Sequence, residues 1–243
     1  MADVAGRQPV LEAIRSGQEI NKILVAKGQR QGSIREIVAV AREKGIIVQE
    51  VERTILDQLS EEANHQGVIA QIADVRYWEL EELLANTQKA NWDPFLILLD
   101  GIQDPHNLGS IIRSAEAMGA DGVIIPKRRA VGVTTTVMKS SAGAANYVPV
   151  CRVGNLTATI DTLKKQGYWI VGADMAGDVC FTQDLTGSIA LVVGGEGSGL
   201  SRLVKEKCDF LSSIPMRGEI NSLNASVAAA LLMFEVVKQR TRC

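Results

Sequence analysis

The chain has 243 residues, 46% of them hydrophobic, and a formal net charge of −2. That length fits one large domain or two small ones with a sizeable core; no apolar run approaches the ~20 residues of a membrane helix, and the opening MADVAGRQPV has no basic segment followed by an apolar stretch, so no secretory signal is expected. Four cysteines, at 151, 180, 208 and 243, are too scattered for a disulfide framework or a Cys-x-x-Cys metal site, and the only histidines are His65 and His106, so a reduced, cytoplasmic, metal-free protein is expected.

Taken in chain order, residues 9–16 suggest a helix with Pro9 in its first turn. INKILVA (20–26) reads as an apolar strand, IREIVAVAREKG (34–45) as an amphipathic helix and IIVQEV (46–51) as a strand. A short helix near 53–60 and the strand GVIAQIA (67–73) complete a small α/β domain over residues 1–73. Residues 74–93 carry five acidic side chains against two basic ones, and two of the three tryptophans. They read as a linker with a helical piece in ELEELLANTQ, although membership of the first domain fits as well. A second domain, 94–243, follows. FLILLD (95–100) is a buried strand, NLGSIIRSAEAMGA (107–120) a helix and DGVIIP (121–126) the next strand. Further strands are expected at 147–151, 168–173, 188–194 and 209–214, with helices between them and a long helix from about 223 to 240. Continuous apolar strands alternating with helices predict a parallel sheet covered on both faces, which binds ligands beyond the carboxyl ends of its strands.

Three strand ends run into unusual loops. In LLDGIQDPHNLGSIIRSAEAMGA, Asn107 is placed to cap the helix, Gly109 permits close approach of another segment, and Arg113 lies off the apolar stripe 108, 111, 112, 115 and 118. Alone, Arg113 reads as a solvated helix arginine. In LVVGGEGSGLS (191–201) no Gly-Lys-Ser/Thr follows and position 200 is leucine, which excludes a nucleotide P-loop and a dinucleotide fingerprint. Glu196 within that turn would repel phosphate and favours a cationic or hydroxyl-bearing ligand. In IPMRGEINSLNASVAAALLMFE (214–235), Ser222 and Asn224 flank Leu223 where a helix begins and free N–H groups accumulate. Net charge does not advertise nucleic-acid binding, which would have to come from local clusters such as Lys127-Arg128-Arg129, a triplet that reads equally well as a solvated loop.

In order, the three loops resemble the three motifs of the SpoU family, within the SPOUT class of RNA methyltransferases. Asp104, Pro105, Asn107, Gly109 and Arg113 match the first motif, the turn centred on Glu196 the second, and Ser222 to Ser226 the Ser-Leu-Asn-x-Ser third. GRQPVLEAI near the start and NHQGVIAQ (64–71) resemble the small RNA-binding domain of bacterial 23S rRNA (guanosine-2′-O-)-methyltransferases, which has the fold of certain ribosomal proteins. The resemblance implies a parallel-sheet domain with a deep trefoil knot, S-adenosylmethionine as cofactor, and methyl transfer to a ribose 2′-hydroxyl of rRNA, free or in a pre-ribosomal particle. It further implies a homodimer formed by the second domains, without metal or membrane.

By the same resemblance, Arg113, Asn107, Glu196, Ser222 and Asn224 form the catalytic set, and Gly194, Ile214 and Leu223 hold the cofactor largely through their backbone. Arg7, His65 and Gln66, in polar turns of the first domain, are candidate RNA contacts. Neither histidine recommends itself as a base, although His106 adjoins Asn107. Arginine already holds its proton at neutral pH, since its pKa exceeds ~12, and so is a poor general base; Arg113 is expected to stay charged and stabilise the attacking oxygen. A tRNA ribose methyltransferase of the same family and a non-catalytic RNA-binding assembly factor are the rival readings. A nucleotide-cofactor oxidoreductase is disfavoured by the missing dinucleotide fingerprint.

Overall fold

The computed structural model describes residues 3–29, 32–60, 64–88, 92–219 and 222–241. Part of the expected linker (89–91), residues 220–221 of the third loop, and Cys243 therefore lie outside the described residues. The chain divides into two compact units, Met1–Arg76 with Val133–Thr135, and Tyr77–Gly132 with Thr136–Cys243.

The first unit runs β1 (Val4–Ala5), α1 (Arg7–Arg15), β2 (Ile20–Ala26), α2 (Ser33–Glu43), β3 (Val48–Val51), α3 (Arg53–Leu59) and β4 (Val68–Ile72). Its mixed sheet has the order β1-β4-β2-β3. β2 pairs parallel to β3 and antiparallel to β4. Alternate strand residues, Ile23 and Val25 on β2 and Val68, Ala70 and Ile72 on β4, meet the apolar stripes of α1 and α2 in one core. Leu24, Ala26 and Ile69 point the other way and pack with Leu56 of α3. Every element expected from the period of the apolar residues is present, with ends displaced by one or two residues.

The second unit opens with α4 (Leu80–Thr87). It continues through β5 (Phe95–Asp100), α5 (Pro105–Ala117), β6 (Gly122–Pro126), α6 (Thr135–Ser140), β7 (Val150–Val153), α7 (Leu156–Lys165), β8 (Trp169–Val179), β9 (Ile189–Gly194), α8 (Arg202–Lys207), β10 (Phe210–Ser213) and α9 (Ala225–Arg240). The cut at Arg76–Tyr77 gives most of the stretch read as a linker to this unit. Its helix is no spacer: Leu83 and Leu84 are buried in the second core, and a side chain on Gly122 would collide with Leu83.

All six strands of this sheet are parallel, in the order β10-β8-β9-β5-β6-β7. The central strand β5 is buried along its length up to Asp100, which is why its sequence shows no alternation. Leu96 and Leu98 face the core built with α4, α7 and α8. Phe95 lies on the opposite face, where the Arg240 guanidinium of α9 stands 5.2 Å from its ring centroid. α5 and α9 pack against each other. β8 runs past its expected end at 173 to Val179, because Gly177 lets the backbone of Leu211 and Ser212 come against it. From β5 the chain moves outward through β6 and β7, then crosses to β8 and returns to β9. The order of the strands therefore reverses between β5 and β9, where Asp100 pairs with Gly194. Open parallel sheets bind ligands at such a point. Among the described residues, no helix is long and apolar enough to cross a membrane.

Candidate active site

Asp100 fastens the switch point. Its carbonyl accepts from the Gly195 N–H at 3.0 Å and its carboxylate from the Ser201 N–H at 2.7 Å, so the turn between them is held at both feet. Within the turn, Gly195 must be glycine, since a Cβ there would lie 2.6 Å from the Gly101 carbonyl oxygen. Gly197 and Gly199 take positive φ angles of 76° and 60°. Glu196 is carried at the exposed tip of this turn.

The first loop enters α5 through Asp104, not Asn107. The Asp104 side chain accepts from the Asn107 N–H at 2.8 Å, and Pro105 fills the first helical position. The capping role expected of Asn107 is thus corrected. With the Asp104 carboxylate already at the cap, the Asn107 amide is free to leave the helix. It donates to Glu196 Oε1 at 3.0 Å. Gly109 meets Ser140 and Ser141 so closely that any side chain would clash.

The third loop closes the arrangement. Asn224 is the N-cap of α9: its Oδ1 accepts from the N–H groups of Ser226 and Val227 and from the Ser226 hydroxyl. With that oxygen engaged, its Nδ2 donates to Asn107 Oδ1 at 2.9 Å and to Glu196 Oε1. Asn107, Glu196 and Asn224 thus form a closed ring of hydrogen bonds tying three loops that are remote in sequence.

Beside the ring lies a cleft of about 710 Å³, walled by the exits of β8, β9 and β10 and the start of α9. Such a volume suits a small-molecule ligand. Gly194, Ile214 and Leu223, the expected cofactor positions, all line it, as do Ser222, Glu196 and Asn224. Arg113 is exposed on α5 and is not part of its wall. His106 is exposed as well.

Two contributors escaped the sequence reading. Asp100 positions the glycine turn, and its signal was its place as the last residue of a buried strand. Asp174 lines the cleft just past the expected end of β8. Burial works to raise its pKa, but the Lys205 ammonium at 2.7 Å and the Ala176 N–H outweigh that and hold it below the ordinary carboxylate value. The cleft therefore contains a fixed anion. Burial pushes the Cys151 thiol up to about 12 and the Cys208 thiol to about 11, which makes both poor nucleophiles. Among the described residues, no group of three or more His, Cys, Asp or Glu could hold a metal ion.

In the first unit, Arg7, His65 and Gln66 come together at one turn. The Arg7 N–H donates to Gln66 Oε1 at 3.1 Å, and its side chain to the Gln66 carbonyl at 3.2 Å. Gln66 takes a positive φ of 51°. His65 departs from expectation. It is 3% exposed, with Nδ1 accepting from the Gly67 N–H and Nε2 2.8 Å from Asp57. Both ring nitrogens are engaged inside the chain, so His65 shapes the turn and offers no edge to RNA.

Comparison with known proteins gives the family. The family model described as the SpoU rRNA Methylase family matches residues 94–234, and the one described as RNA 2′-O ribose methyltransferase substrate binding matches residues 4–78. YacO of Bacillus subtilis, named for the TrmH family of tRNA/rRNA methyltransferases, is 47% identical over 98% of this chain and 95% of its own length. A protein of the same family name from Staphylococcus saprophyticus is 50% identical over the same shares. Among solved structures, the SpoU methyltransferase AviRb from Streptomyces viridochromogenes, in complex with AdoMet, superposes with a TM-score of 0.64 at 28% identity, covering 99% of this chain and 91% of that one. The chain belongs to the SpoU rRNA methylase family and is an RNA methyltransferase of the SpoU/TrmH type, with a substrate-binding unit preceding the parallel-sheet domain.

Proposed function

We propose that the chain is a cytoplasmic enzyme that transfers the methyl group of S-adenosylmethionine to the ribose 2′-hydroxyl of one RNA nucleotide, with a guanosine of 23S rRNA as acceptor. The observation that carries this reading is the ring of Asn107, Glu196 and Asn224 beside a cleft at the switch point of a parallel sheet.

The cleft suits the cofactor. Val193, Ile214, Met216, Leu223 and Leu232 offer apolar contact for an adenine, and the glycine turn offers backbone groups. Its charged lining residues are the carboxylates Asp174 and Glu196, which favour a sulfonium cation and disfavour a phosphate. Gly194, Ile214 and Leu223 would hold the cofactor within the knotted loops that the family resemblance implies. When bound, it supplies a methyl group on positively charged sulfur, open to in-line attack. The protein's part is alignment, which can lower such a barrier by ~7–11 kcal/mol. Asn107 and Asn224 fix Glu196, and with Ser222 these groups orient the acceptor ribose. The Arg113 guanidinium grips the RNA backbone and stabilises the developing alkoxide, while the hydroxyl proton leaves to water or phosphate.

Arg113 is absent from the cleft wall of its own chain, which supports a homodimer whose sites combine two copies. The face that would form it is on α9, where Val227, Leu231 and Phe234, one helical stripe, are 46%, 45% and 52% exposed. An obligate interface there would bury about 2,000 Å² or more. The first unit would supply RNA affinity and selection through Arg7 and Gln66. Its presence favours rRNA, free or in a pre-ribosomal particle, over tRNA; the relatives' names cover both.

The test is incubation with methyl-labelled S-adenosylmethionine and bulk 23S rRNA or bulk tRNA, followed by mass-spectrometric mapping. Label on one ribose of 23S rRNA is expected. Label in tRNA alone would move the acceptor, and label on a base would refute ribose transfer. No label despite bound cofactor would leave a binding factor.

A further inference from the structure

A second cleft, of about 470 Å³, lies in the first unit and is lined by none of the residues assigned to methyl transfer. Val25, Arg35, Val38, Ala39, Arg42, Val48 and Glu50 line it. Four of these occupy positions i, i+3, i+4 and i+7 of α2 and so share one helix face. β3, which supplies Val48 and Glu50, is an edge strand paired only with β2. The floor is apolar, from Val38, Ala39 and Val48, and a guanidinium stands towards each end. Seven residues of helix separate the two arginines by ~10.5 Å along the axis. Neither guanidinium is hydrogen-bonded or ion-paired to a described residue. The neighbouring Glu36 does not neutralise them, since it faces α1 and pairs with Arg15 at 2.8 Å.

The topology connects this cleft to the Arg7–Gln66 turn. β2 and β3 end side by side, Ala26 opposite Val51, and Val68, two residues after Gln66, pairs with Val25. α2 starts at this same end of the sheet, so Arg35 in its first turn stands at the end that carries Gln66 and Arg7. Arg42 lies a helix-length farther along. An anionic, partly apolar polymer entering at Gln66 and Arg7 would find the cleft as its continuation.

We infer that the α2–β3 cleft is a second RNA-binding subsite, which seats a single-stranded segment of the substrate, phosphates on Arg35 and Arg42 and a base or ribose face on Val38 and Val48. This rests on the proposed function and deepens it: the substrate would then have a flexible single strand beside the element bound at Arg7 and Gln66. Mixed sugar–base and phosphate character matches a lining of apolar side chains with two open guanidiniums and a single carboxylate, Glu50, better than a purely anionic or purely apolar ligand does.

The test compares the full-length protein with Arg35→Ala/Arg42→Ala and Arg35→Lys/Arg42→Lys, each checked for an unchanged thermal transition. The probes are bulk 23S rRNA and a short mixed-sequence single-stranded RNA, titrated over a range of salt. For the alanine pair, affinity should fall about tenfold, and the slope of log affinity against log salt should shrink by about 1.4, from ~0.7 per lost single-strand phosphate contact. KM for RNA should rise with kcat and S-adenosylmethionine affinity unchanged, and the lysine pair should keep the salt slope. If the alanine pair matches wild type while wild type still methylates RNA, the subsite is refuted and the proposed function stands. That is also the result expected if a peptide strand paired along β3 is the true occupant. A wild-type protein that binds S-adenosylmethionine but neither RNA would refute both.

Discussion

The two units are built from the same alternation of strands and helices, yet their loops are fastened differently. In the second, side chains from three loops bond to one another, and Asp100 pins the glycine turn from below. In the first, the fastenings are between neighbours at one sheet end, Arg7 with Gln66, His65 with Asp57 and Lys27 with Glu52, and the cationic groups on α2 stay open. Chemistry needs reacting groups held within a narrow tolerance; capture of a long polyanion needs charges spread along a surface. The contrast assigns transfer to one unit and grip to the other.

The sharpest break of that contrast is Arg113→Ala. Methyl transfer should fall by at least 10²–10³-fold, as when a group that stabilises a developing oxyanion is lost, while calorimetric affinity for S-adenosylmethionine changes less than tenfold. Mixing Arg113→Ala chains with Glu196→Ala chains extends the test. Where Arg113 works across a dimer, half of the sites in each mixed dimer regain both groups, and about a quarter of wild-type activity returns. If each site is built from one chain, nothing returns.

Next in size is the core residue that joins α4 to the second unit. Leu83→Ala should destabilise that unit by about 2–5 kcal/mol, read by denaturant unfolding. A chain beginning at Tyr77 should still bind S-adenosylmethionine, whereas one beginning at Asp93, which lacks Leu83 and Leu84, should bind it poorly or not fold.

Asn224 separates capping from bridging. Asn224→Ala removes both, with about 0.5–2 kcal/mol lost from the cap alone. Asn224→Ser keeps a capping oxygen but cannot reach Asn107 and Glu196 together. Thermal stability should return in the serine variant while kcat stays low; full recovery of kcat would mean that the ring has no part in transfer. The smallest effect is expected from Gln66→Gly, which suits the positive φ and removes only the side chain. KM for RNA should rise a few-fold, with kcat and cofactor affinity untouched.

Most of the fold was legible because burial writes period into sequence. FLILLD reads as a doubly covered strand and IREIVAVARE as a helix with one wet face, and both are so. The end of β8 was not legible, since its last residues, ADMAGDV, pair through the missing side chain of Gly177 and bury little. Gly194, Glu196, Ser222 and Asn224 were legible as motif positions at strand ends. Their bonding was not, because nothing in local spacing records that Asn107 meets a carboxylate 89 residues on and an amide 117 residues on. His65 misled for a similar reason: a polar turn looks wet in one dimension, and only the fold shows Asp57 and Gly67 closing around it.

Those separations also govern when the site can exist during synthesis. Contacts between distant residues close late, because the intervening chain must first be ordered. A nascent chain that has emerged through Gly199 already has β5, α5 and the Glu196 turn with its Asn107 donor, yet the cleft lacks the walls from β10 and α9, and Glu196 lacks its second donor, until Asn224 and the first turns of α9 follow. Cofactor capture must therefore come among the last events of maturation, and a ribosome-bound precursor stalled before Asn224 carries no competent site. The protein cannot modify RNA while it is itself still being made up to that point.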